Sequence, residues 1–314
     1  MNTNSIEHSR PLSLIGAPSS AGAYGPGQEL APAAFRRHRI VSQLSDRGLE
    51  VVDRGDGQLT EWIRDEQNLQ AANVDMVARV IGTLSTTVSS ALADDHNILV
   101  LGGDCTVELG VVAGAIGDGS SVGLLYVDLD ADLNTPETGD GILDWMGMAH
   151  ILGIAGANDQ LATIAERRPM LDVGAIRLIA TNNISAPERE VIDRLNIQIE
   201  PLAAVIADPT AVVTRIREWA KSFDRILVHV DFDVLDYDKF PIAEITDLRG
   251  GLDMSSLTGL LGGFCDLPNW RALTLTEINP SHAPDEQQSF QRIIEMLGGV
   301  LGGSHRMPPS ARLD

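Results

Sequence analysis

The feature that most constrains the fold is an alternation of short apolar runs with longer amphipathic segments along almost the whole chain. Runs that are nearly continuous in aliphatic and β-branched residues are typical of strands covered on both faces, as in a parallel sheet. The segments between them, such as 72–95 and 208–223, have the periodicity of amphipathic helices. The alternation predicts a mostly parallel sheet of about eight strands in one α/β domain over residues 1–314, with a flexible tail from about 303. The predicted strands are LSLIGAP, LEVVDRGD, NILVLGGD, VGLLYVDLD, AIRLIATNN, LNIQIEPL, RILVHVDFD and ALTLTEINP.

The charge composition of the chain argues against some classes of binding partner. The chain has 23 Lys and Arg residues against 44 Asp and Glu residues, a net charge of −21, and no basic run reverses it locally. Such a surface repels phosphate backbones and anionic lipid, which argues against nucleic acid or a membrane as partner. The two cysteines are too few for a disulfide framework, and the N-terminus lacks the features of a signal peptide. We therefore expect a cytoplasmic protein.

Acidic side chains follow four of the predicted strands. Asp128, Asp130 and Asp132 alternate after VGLLYV, so extended backbone would turn all three toward one side. The other three strands end in Asp104 and Cys105, in Asp231 and Asp233, and in Glu277. Ligands of open α/β sheets bind beyond the carboxyl ends of the strands, so these groups are expected to converge there. Like charges this close repel one another unless some take up protons or a cation lies among them, and a divalent metal is the natural remedy.

Four blocks in this order, LGGDC, YVDLDADLNTPET, HVDFDVLD and TEINP, resemble the signature blocks of the arginase, agmatinase and formiminoglutamase (ureohydrolase) family. The opening IGAPSSAG and APAAFRR is similar to the first strand, loop and helix of that family, so the resemblance covers essentially the whole chain. The resemblance implies a three-layer α/β/α domain around eight parallel strands. It also implies hydrolysis of a guanidino or related C–N bond by a water that bridges two Mn²⁺ ions, in trimers or hexamers.

The chain departs from the family at two metal positions. Cys105 stands where the first block of the family has a histidine, and Asp130 stands where the second block has one. Carried over residue by residue, the resemblance gives the first ion Cys105, Asp128, Asp132 and Asp231. It gives the second ion Asp128, Asp130, Asp231 and Asp233.

These replacements change the chemistry expected of the centre. Extra anionic ligands make an ion a poorer Lewis acid, so a bound water loses its proton less readily. Oxygen-rich ligation favours hard ions, so Mn²⁺ is expected, with Mg²⁺ or Ca²⁺ as alternatives. In a metal-free form some of the carboxyl groups must be protonated or splayed apart, and they would titrate as a coupled group.

Other positions carry roles by resemblance. Asp144 is the counterpart of a family histidine that transfers protons, with Trp145 as the alternative if the loop has no gap. Glu277 would contact the cationic group of a substrate, and Asn134 matches a substrate-contact position that a turn explains equally well. His229 shares a strand face with Asp231, so it either supplies a nitrogen ligand or is a buried histidine satisfied by its neighbours.

Three functions are compatible with these residues. The favoured one is a metal-dependent hydrolase of a linear amidine in a small cationic substrate, since the predicted pocket is strongly anionic. A second is a non-hydrolytic member of the fold that binds a ligand or acts as a scaffold, with a remodelled or lost metal site. A third uses Cys105 as a nucleophile on an amidine carbon, with His229 or an aspartate as base.

Overall fold

The computed structural model describes residues 10–247 and 249–302, so the predicted tail lies outside the described residues. Eight strands form one sheet in which every pairing is parallel. The strands are β1 (Leu12–Gly16), β2 (Val51–Asp56), β3 (Asn97–Leu101), β4 (Val122–Val127), β5 (Ile176–Ile179), β6 (Ile199–Glu200), β7 (Arg225–Asp231) and β8 (Trp270–Thr276). The predicted parallel sheet of eight strands is confirmed.

Helices connect the strands and cover both faces of the sheet. They are α1 (Ala31–Arg37), α2 (Ile40–Asp46), α3 (Val74–Ala93), α4 (Val107–Ile116), α5 (Gly147–Ile151), α6 (Asp159–Ala162), α7 (Ala186–Leu195), α8 (Leu202–Ala207), α9 (Pro209–Ala220), α10 (Met254–Cys265) and α11 (Glu286–Leu301). One apolar core joins the sheet to α1, α2 and α8–α11, and a second joins it to α3–α7. The result is the predicted three-layer α/β/α arrangement.

Alternation along the strands assigns side chains to these two cores. In β3, Leu99 and Leu101 belong to the first core, whereas Ile98 and Val100 belong to the second. This is the period of two that extended backbone imposes. It explains why the sequence shows continuous apolar runs, since both faces of each central strand are buried.

Helix α3 is long and apolar enough to cross a membrane when only its length and composition are considered. It packs instead along α4, where a Cβ added at Gly110 would lie 2.9 Å from the carbonyl oxygen of Ile81. Its buried residues Val77, Ile81, Leu84 and Val88 recur at helical spacing and belong to the second core. Its apolar face is therefore accounted for by packing inside the domain.

The order of the strands in the sheet is β2-β1-β3-β8-β7-β4-β5-β6. The four strands that end in acids or in the cysteine, β3, β8, β7 and β4, are thus consecutive in space although they are scattered along the chain. Their register aligns Val127 with Val230 and Asp231 with Thr276. The acidic strand ends therefore meet along one short stretch of the sheet edge.

Candidate active site

Three carboxylates form the centre of the candidate site. Asp128 follows β4, Asp231 ends β7, and Asp233 lies in the short 3-10 turn Phe232–Val234 that follows β7. They are at most 5% exposed, and each offers an oxygen such that the three oxygens lie within 4.8 Å of one another. Burial and then the charge of Asp231 raise the pKa of Asp128 and the pKa of Asp233 well above the usual range.

Backbone amides hold two of these carboxylates in place, and two carboxylate oxygens of the set have no hydrogen-bond partner among the described residues. Asp128 Oδ1 accepts from the Asp130 amide at 2.7 Å, and Asp231 Oδ1 accepts from the Asp233 amide at 2.8 Å. Asp128 Oδ2 and Asp233 Oδ1 are buried and have no hydrogen-bond partner among the described residues. Leaving buried oxygens unpartnered is costly, so this arrangement is one that a cation would complete.

Cys105 lies between β3 and α4 and is 2% exposed. Its thiol donates to Asp231 Oδ2 at 3.0 Å and lies 3.1 Å from Thr276 Oγ1. Burial, followed by the charges of Asp231 and Asp144, raises the pKa of this thiol well above its usual value. Without a cation nearby, Cys105 is therefore a neutral thiol that donates a hydrogen bond.

The two remaining aspartates of the alternating run are held by protein groups. Asp132 Oδ2 accepts a hydrogen bond from the hydroxyl of Tyr126. Asp130 Oδ1 accepts from the side-chain amide of Asn183 at 2.6 Å. Burial, followed by the charge of Asp231, raises the pKa of Asp130 to about 7. Neither aspartate joins the 4.8 Å groups of candidate metal donors found in the described part of the chain.

A second set of donors lies on the other side of Cys105. One donor atom each from Cys105, Asp144 and Glu277 lie within 4.8 Å of one another. Asp144 Oδ1 accepts from the Cys105 amide at 2.7 Å, and Glu277 Oε2 accepts from the Gln28 side chain at 3.0 Å. Glu277 has a φ of 58°, a left-handed conformation that is uncommon for this residue type and that clusters at functional sites.

Most of these groups, among them Cys105, Asp231 and Glu277, line a cavity of about 540 Å³ at the carboxyl edge of the sheet. Eight of its lining residues are Asp or Glu, and none of its described lining residues is Lys, Arg or His. Polar side chains without charge also line it, among them Asn134, Asn183 and Ser185. The arrangement suits a small cationic ligand, because a cation gains from the negative field and no described lining residue repels it.

The donor set fits a divalent cation at Asp128, Asp231 and Asp233. All three supply oxygen, which hard ions such as Mn²⁺ and Mg²⁺ prefer. The unpartnered oxygens of Asp128 and Asp233 are the direct sign of this fit.

A model of the Arginase family matches residues 10–299, which is nearly the whole chain. The chain belongs to the arginase family. The arginase of Bacillus subtilis is 26% identical over 296 residues, which cover 93% of this chain and 98% of that protein. The crystal structure of arginase from the same species superposes with a TM-score of 0.83 at 23% identity and covers 94% of this chain and 100% of that one. The structure of formimidoylglutamase from Bacillus subtilis has a TM-score of 0.72 at 17% identity and covers 96% of this chain and 89% of that one.

Membership of the arginase family confirms the resemblance inferred from the four blocks. Of the predicted site residues, the structure brings Cys105, Asp128, Asp231 and Asp233 into direct neighbourhood, with Asp144 and Glu277 beside Cys105. Asp130, Asp132 and Asn134 line the same cavity. Asp104 points elsewhere, because its carboxylate accepts from the amides of Gly22 and Thr106.

Sequence reasoning missed three residues of the site. Tyr126 engages Asp132, Gln28 positions Glu277, and Glu108 lies 3.4 Å from a ring nitrogen of His229. Only Glu108 leaves a trace in the sequence, as a lone charge in the otherwise apolar helix VELGVVAGAI. Gln28 comes from the segment before α1, and no local pattern links it to β8.

Proposed function

We propose that this arginase-family chain is a metal-dependent hydrolase that cleaves a guanidino-type C–N bond in a small cationic substrate. The observation that carries the proposal is the set of buried carboxylate oxygens without partners among the described residues, Asp128 Oδ2, Asp233 Oδ1 and Glu277 Oε1. Asp233 and Glu277 line the cavity, and Asp128 lies beside the lining residues Asp231 and Asp233. A scaffold that had lost its chemistry would have no reason to keep so costly an arrangement.

Asp128, Asp231 and Asp233 would hold the metal, with Asp130, Asp132 and Cys105 around them. The oxygen-rich set favours Mn²⁺, with Mg²⁺ and Ca²⁺ as alternatives. When bound, such an ion supplies a water of lowered pKa as the nucleophile. The surrounding carboxylates moderate that effect, so we expect turnover to rise with pH above neutrality.

Glu277 would receive the cationic group of the substrate. Gln28 occupies one oxygen of this carboxylate at 3.0 Å and leaves Oε1 without a partner in the described residues. A guanidinium donates paired N–H groups, so it can satisfy that oxygen and offset the negative charge. Asn134 and Asn183 also line the cavity and would contact the distal part of the substrate.

Asp144 is placed to handle a proton. Burial, followed by the charges of Asp104 and Asp231, raises the pKa of this carboxyl well above its usual range. The Cys105 amide fixes Oδ1 at 2.7 Å, so the other oxygen remains for a substrate nitrogen. A carboxyl group whose pKa is raised in this way holds its proton more tightly than an exposed one and can give it to the leaving amine.

The cysteine-nucleophile alternative is less well supported. Cys105 Sγ does lie 3.4 Å from His229 Nε2, which is within reach of a base. However, the surrounding carboxylates and burial disfavour its thiolate, and the thiol donates to Asp231. The geometry therefore favours metal-assisted hydrolysis.

We also propose that the chain acts in the cytoplasm as a homo-oligomer, a trimer or a hexamer. Leu59, Ile63 and Leu69 are exposed in the segment between β2 and α3, which supports a contact between copies. Light scattering of the purified protein measures the oligomeric state, and a monomer at all concentrations would contradict this part of the proposal.

The test of the function uses Asp128→Ala and Asp231→Ala. After Mn²⁺ loading and desalting, both variants should lose the bound metal and the release of urea or ammonia from guanidino compounds by at least 100-fold, since a buried metal ligand is removed. Asp193→Ala removes an exposed carboxylate of α7 and should retain both properties. Full turnover in either site variant would overturn the proposal, and absence of metal from the unmodified protein would favour the non-hydrolytic scaffold.

A further inference from the structure

His229 is a buried histidine whose ring lies next to Cys105 of the candidate site. It lies in β7, two residues before Asp231, and is completely buried. Its Nε2 atom lies 3.4 Å from Cys105 Sγ, and one donor atom each from Cys105, His229 and Asp128 lie within 4.8 Å of one another. A sulfur, a nitrogen and an oxygen donor thus meet at one point, beside the all-oxygen set.

The spacing of these donors matches a zinc site. With Zn–S of about 2.3 Å and Zn–N of about 2.0–2.1 Å, tetrahedral angles separate the two ligand atoms by about 3.6 Å. The observed separation between Cys105 Sγ and His229 Nε2 is 3.4 Å. Asp128 offers the third donor, and its Oδ2 atom is buried and has no partner among the described side chains and backbone.

Glu108 supports the ring of His229 from the other side. This residue of α4 is 1% exposed, and its Oε2 atom lies 3.4 Å from His229 Nδ1. A histidine that binds a metal almost always has a carboxylate, a carbonyl or a water on its other nitrogen, and this partner fixes the tautomer that leaves the first nitrogen free. Glu108 stands in that position, in a helix whose other residues are apolar or glycine.

Tyr126 contributes to the same arrangement in two ways. Its ring stacks on the ring of His229, with centroids 4.1 Å apart and planes within 5°. Its hydroxyl donates to Asp132, which the family resemblance assigns to the first ion. Tyr126 therefore both holds the plane of the His229 ring and engages one carboxylate oxygen of Asp132 in a hydrogen bond.

We propose that the first metal position of this chain is formed by Cys105 Sγ, His229 Nε2 and Asp128, with Glu108 as the positioning partner of His229, and that it selects a zinc-class ion. The inference rests on the metal dependence in the proposed function. Relative to the set implied by the resemblance, it has His229 in place of Asp132 and Asp231. Thiolate and imidazole favour Zn²⁺ and Co²⁺ over Mn²⁺, whereas Asp128, Asp231 and Asp233 favour a hard ion. The centre is thus asymmetric, with one borderline-soft and one hard position.

The test is Co²⁺ titration of the full-length protein after removal of metal with a chelator. Co²⁺ bound to Cys105 should give a sulfur-to-cobalt charge-transfer band in the near ultraviolet, which no oxygen ligand produces. Cys105→Ser should abolish the band, and Cys265→Ser, at a cysteine outside the cavity, should leave it unchanged. A native protein that binds Co²⁺ without this band would overturn the proposal.

Competition between Zn²⁺ and Mn²⁺ tests the role of His229 and Glu108. Glu108→Gln keeps the shape of the side chain and should weaken Zn²⁺ binding about 10–100-fold, the usual effect of losing a partner of a metal ligand. His229→Gln should weaken Zn²⁺ binding at least as much. Asp132→Asn should leave the cobalt–sulfur band in place. Unchanged Zn²⁺ affinity in Glu108→Gln and His229→Gln would exclude His229 as a ligand.

These readouts separate the inference from the proposed function. Urea or ammonia release with Mn²⁺ but no cobalt–sulfur band would refute the Cys105–His229 position and leave the hydrolase proposal intact. A cobalt–sulfur band without hydrolysis of any guanidino compound would support the Cys105–His229 position and refute the hydrolase proposal. Circular dichroism of each metal-free variant verifies that it is folded. If His229→Gln does not fold, the Zn²⁺ affinity of Glu108→Gln provides the test.

Discussion

At the scale of single residues, the decisive feature is the concentration of carboxyl groups that have lost contact with water. Asp130 occupies a position where the family resemblance implies a histidine, and burial with the charge of Asp231 raises its pKa to about 7. The pKa values of Asp128, Asp144 and Glu277 are also raised, mainly by burial. Between about pH 4, where the unfolded chain releases its carboxyl protons, and about pH 7, where Asp130 titrates, the metal-free folded protein therefore binds more protons than the unfolded chain.

This protonation predicts an unusual pH dependence of stability. Because the folded state binds more protons than the unfolded state in that range, the free energy of unfolding falls as pH rises. In a chelator, the midpoint of thermal unfolding should be at least a few degrees higher at pH 5 than at pH 8, because about 1 kcal/mol shifts it by about 2–4 °C in domains somewhat smaller than this one. The measurement is a calorimetric scan at each pH.

Metal and mutation provide the controls for this dependence. Added Mn²⁺ should raise the midpoint most at pH 8, because metal binding has to displace the fewest protons from the carboxyl groups there. Asp130→Asn should flatten the pH dependence, and Asp193→Asn on the surface of α7 should not. A midpoint in chelator that stays level or increases from pH 5 to pH 8 would contradict the raised pKa values.

At the scale of secondary-structure elements, the site depends on how closely β3 and the segment after β1 approach each other. Gly103 lies in the turn between β3 and α4, and a Cβ added there would lie 1.7 Å from the carbonyl oxygen of Ser19. The Asp104 amide donates to that same oxygen at 2.9 Å. The turn places Cys105 in the cavity. Because other backbone segments approach Gly102 and Gly103 this closely, the two glycines of LGGDC serve backbone packing as well as turn formation.

Gly103→Ala should therefore be strongly destabilising. The Ser19 carbonyl belongs to the backbone and cannot move aside without breaking the Asp104 contact, so we expect a loss of about 3 kcal/mol or more in the free energy of unfolding. Gly82→Ala is the matched control, since Gly82 is exposed in α3 and a Cβ there meets nothing within 4 Å. That change should stabilise by about 0.5–1 kcal/mol. Urea unfolding measures both, and equal effects would refute this account of the turn.

At the scale of the whole molecule, charge and topology act together. The net charge of −21 surrounds a cavity in which eight lining residues are acidic. Long-range attraction of a cation is screened over about 8–10 Å at moderate salt, whereas contacts inside the cavity are screened much less. The field of the molecule should therefore affect the capture of a cationic substrate more than its conversion.

For the proposed reaction, kcat/KM should fall several-fold when NaCl is raised from low ionic strength to about 0.5 M, because steering of a cation depends on unscreened charge. The value of kcat should change little. Asp247→Asn, at an exposed lining position of the cavity, should reduce the salt dependence, and Asp193→Asn should not. A salt effect confined to kcat would contradict steering. Steady-state kinetics at several salt concentrations measures both constants.

The sequence by itself determined the layer architecture and most of the candidate site. Continuous apolar runs alternating with amphipathic segments leave few folds other than a parallel sheet covered on both faces. The acidic residues that close four of these runs were placed at the carboxyl edge by local pattern alone, whereas Asp144 was assigned only by the family resemblance. The four blocks in order were sufficient for the family, which the match over residues 10–299 confirms.

The tertiary structure alone decided which groups touch. The order β3-β8-β7-β4 brings together the ends of β3 at Leu101 and β8 at Thr276, which are far apart along the chain, and no periodicity encodes that order. It turned Asp104 away from the cavity, attached Tyr126 to Asp132, and set Glu108 behind His229. The physical reason is that local pattern fixes the face and the end of a strand at which a side chain lies. Its hydrogen-bond partner is chosen by packing between segments remote in sequence.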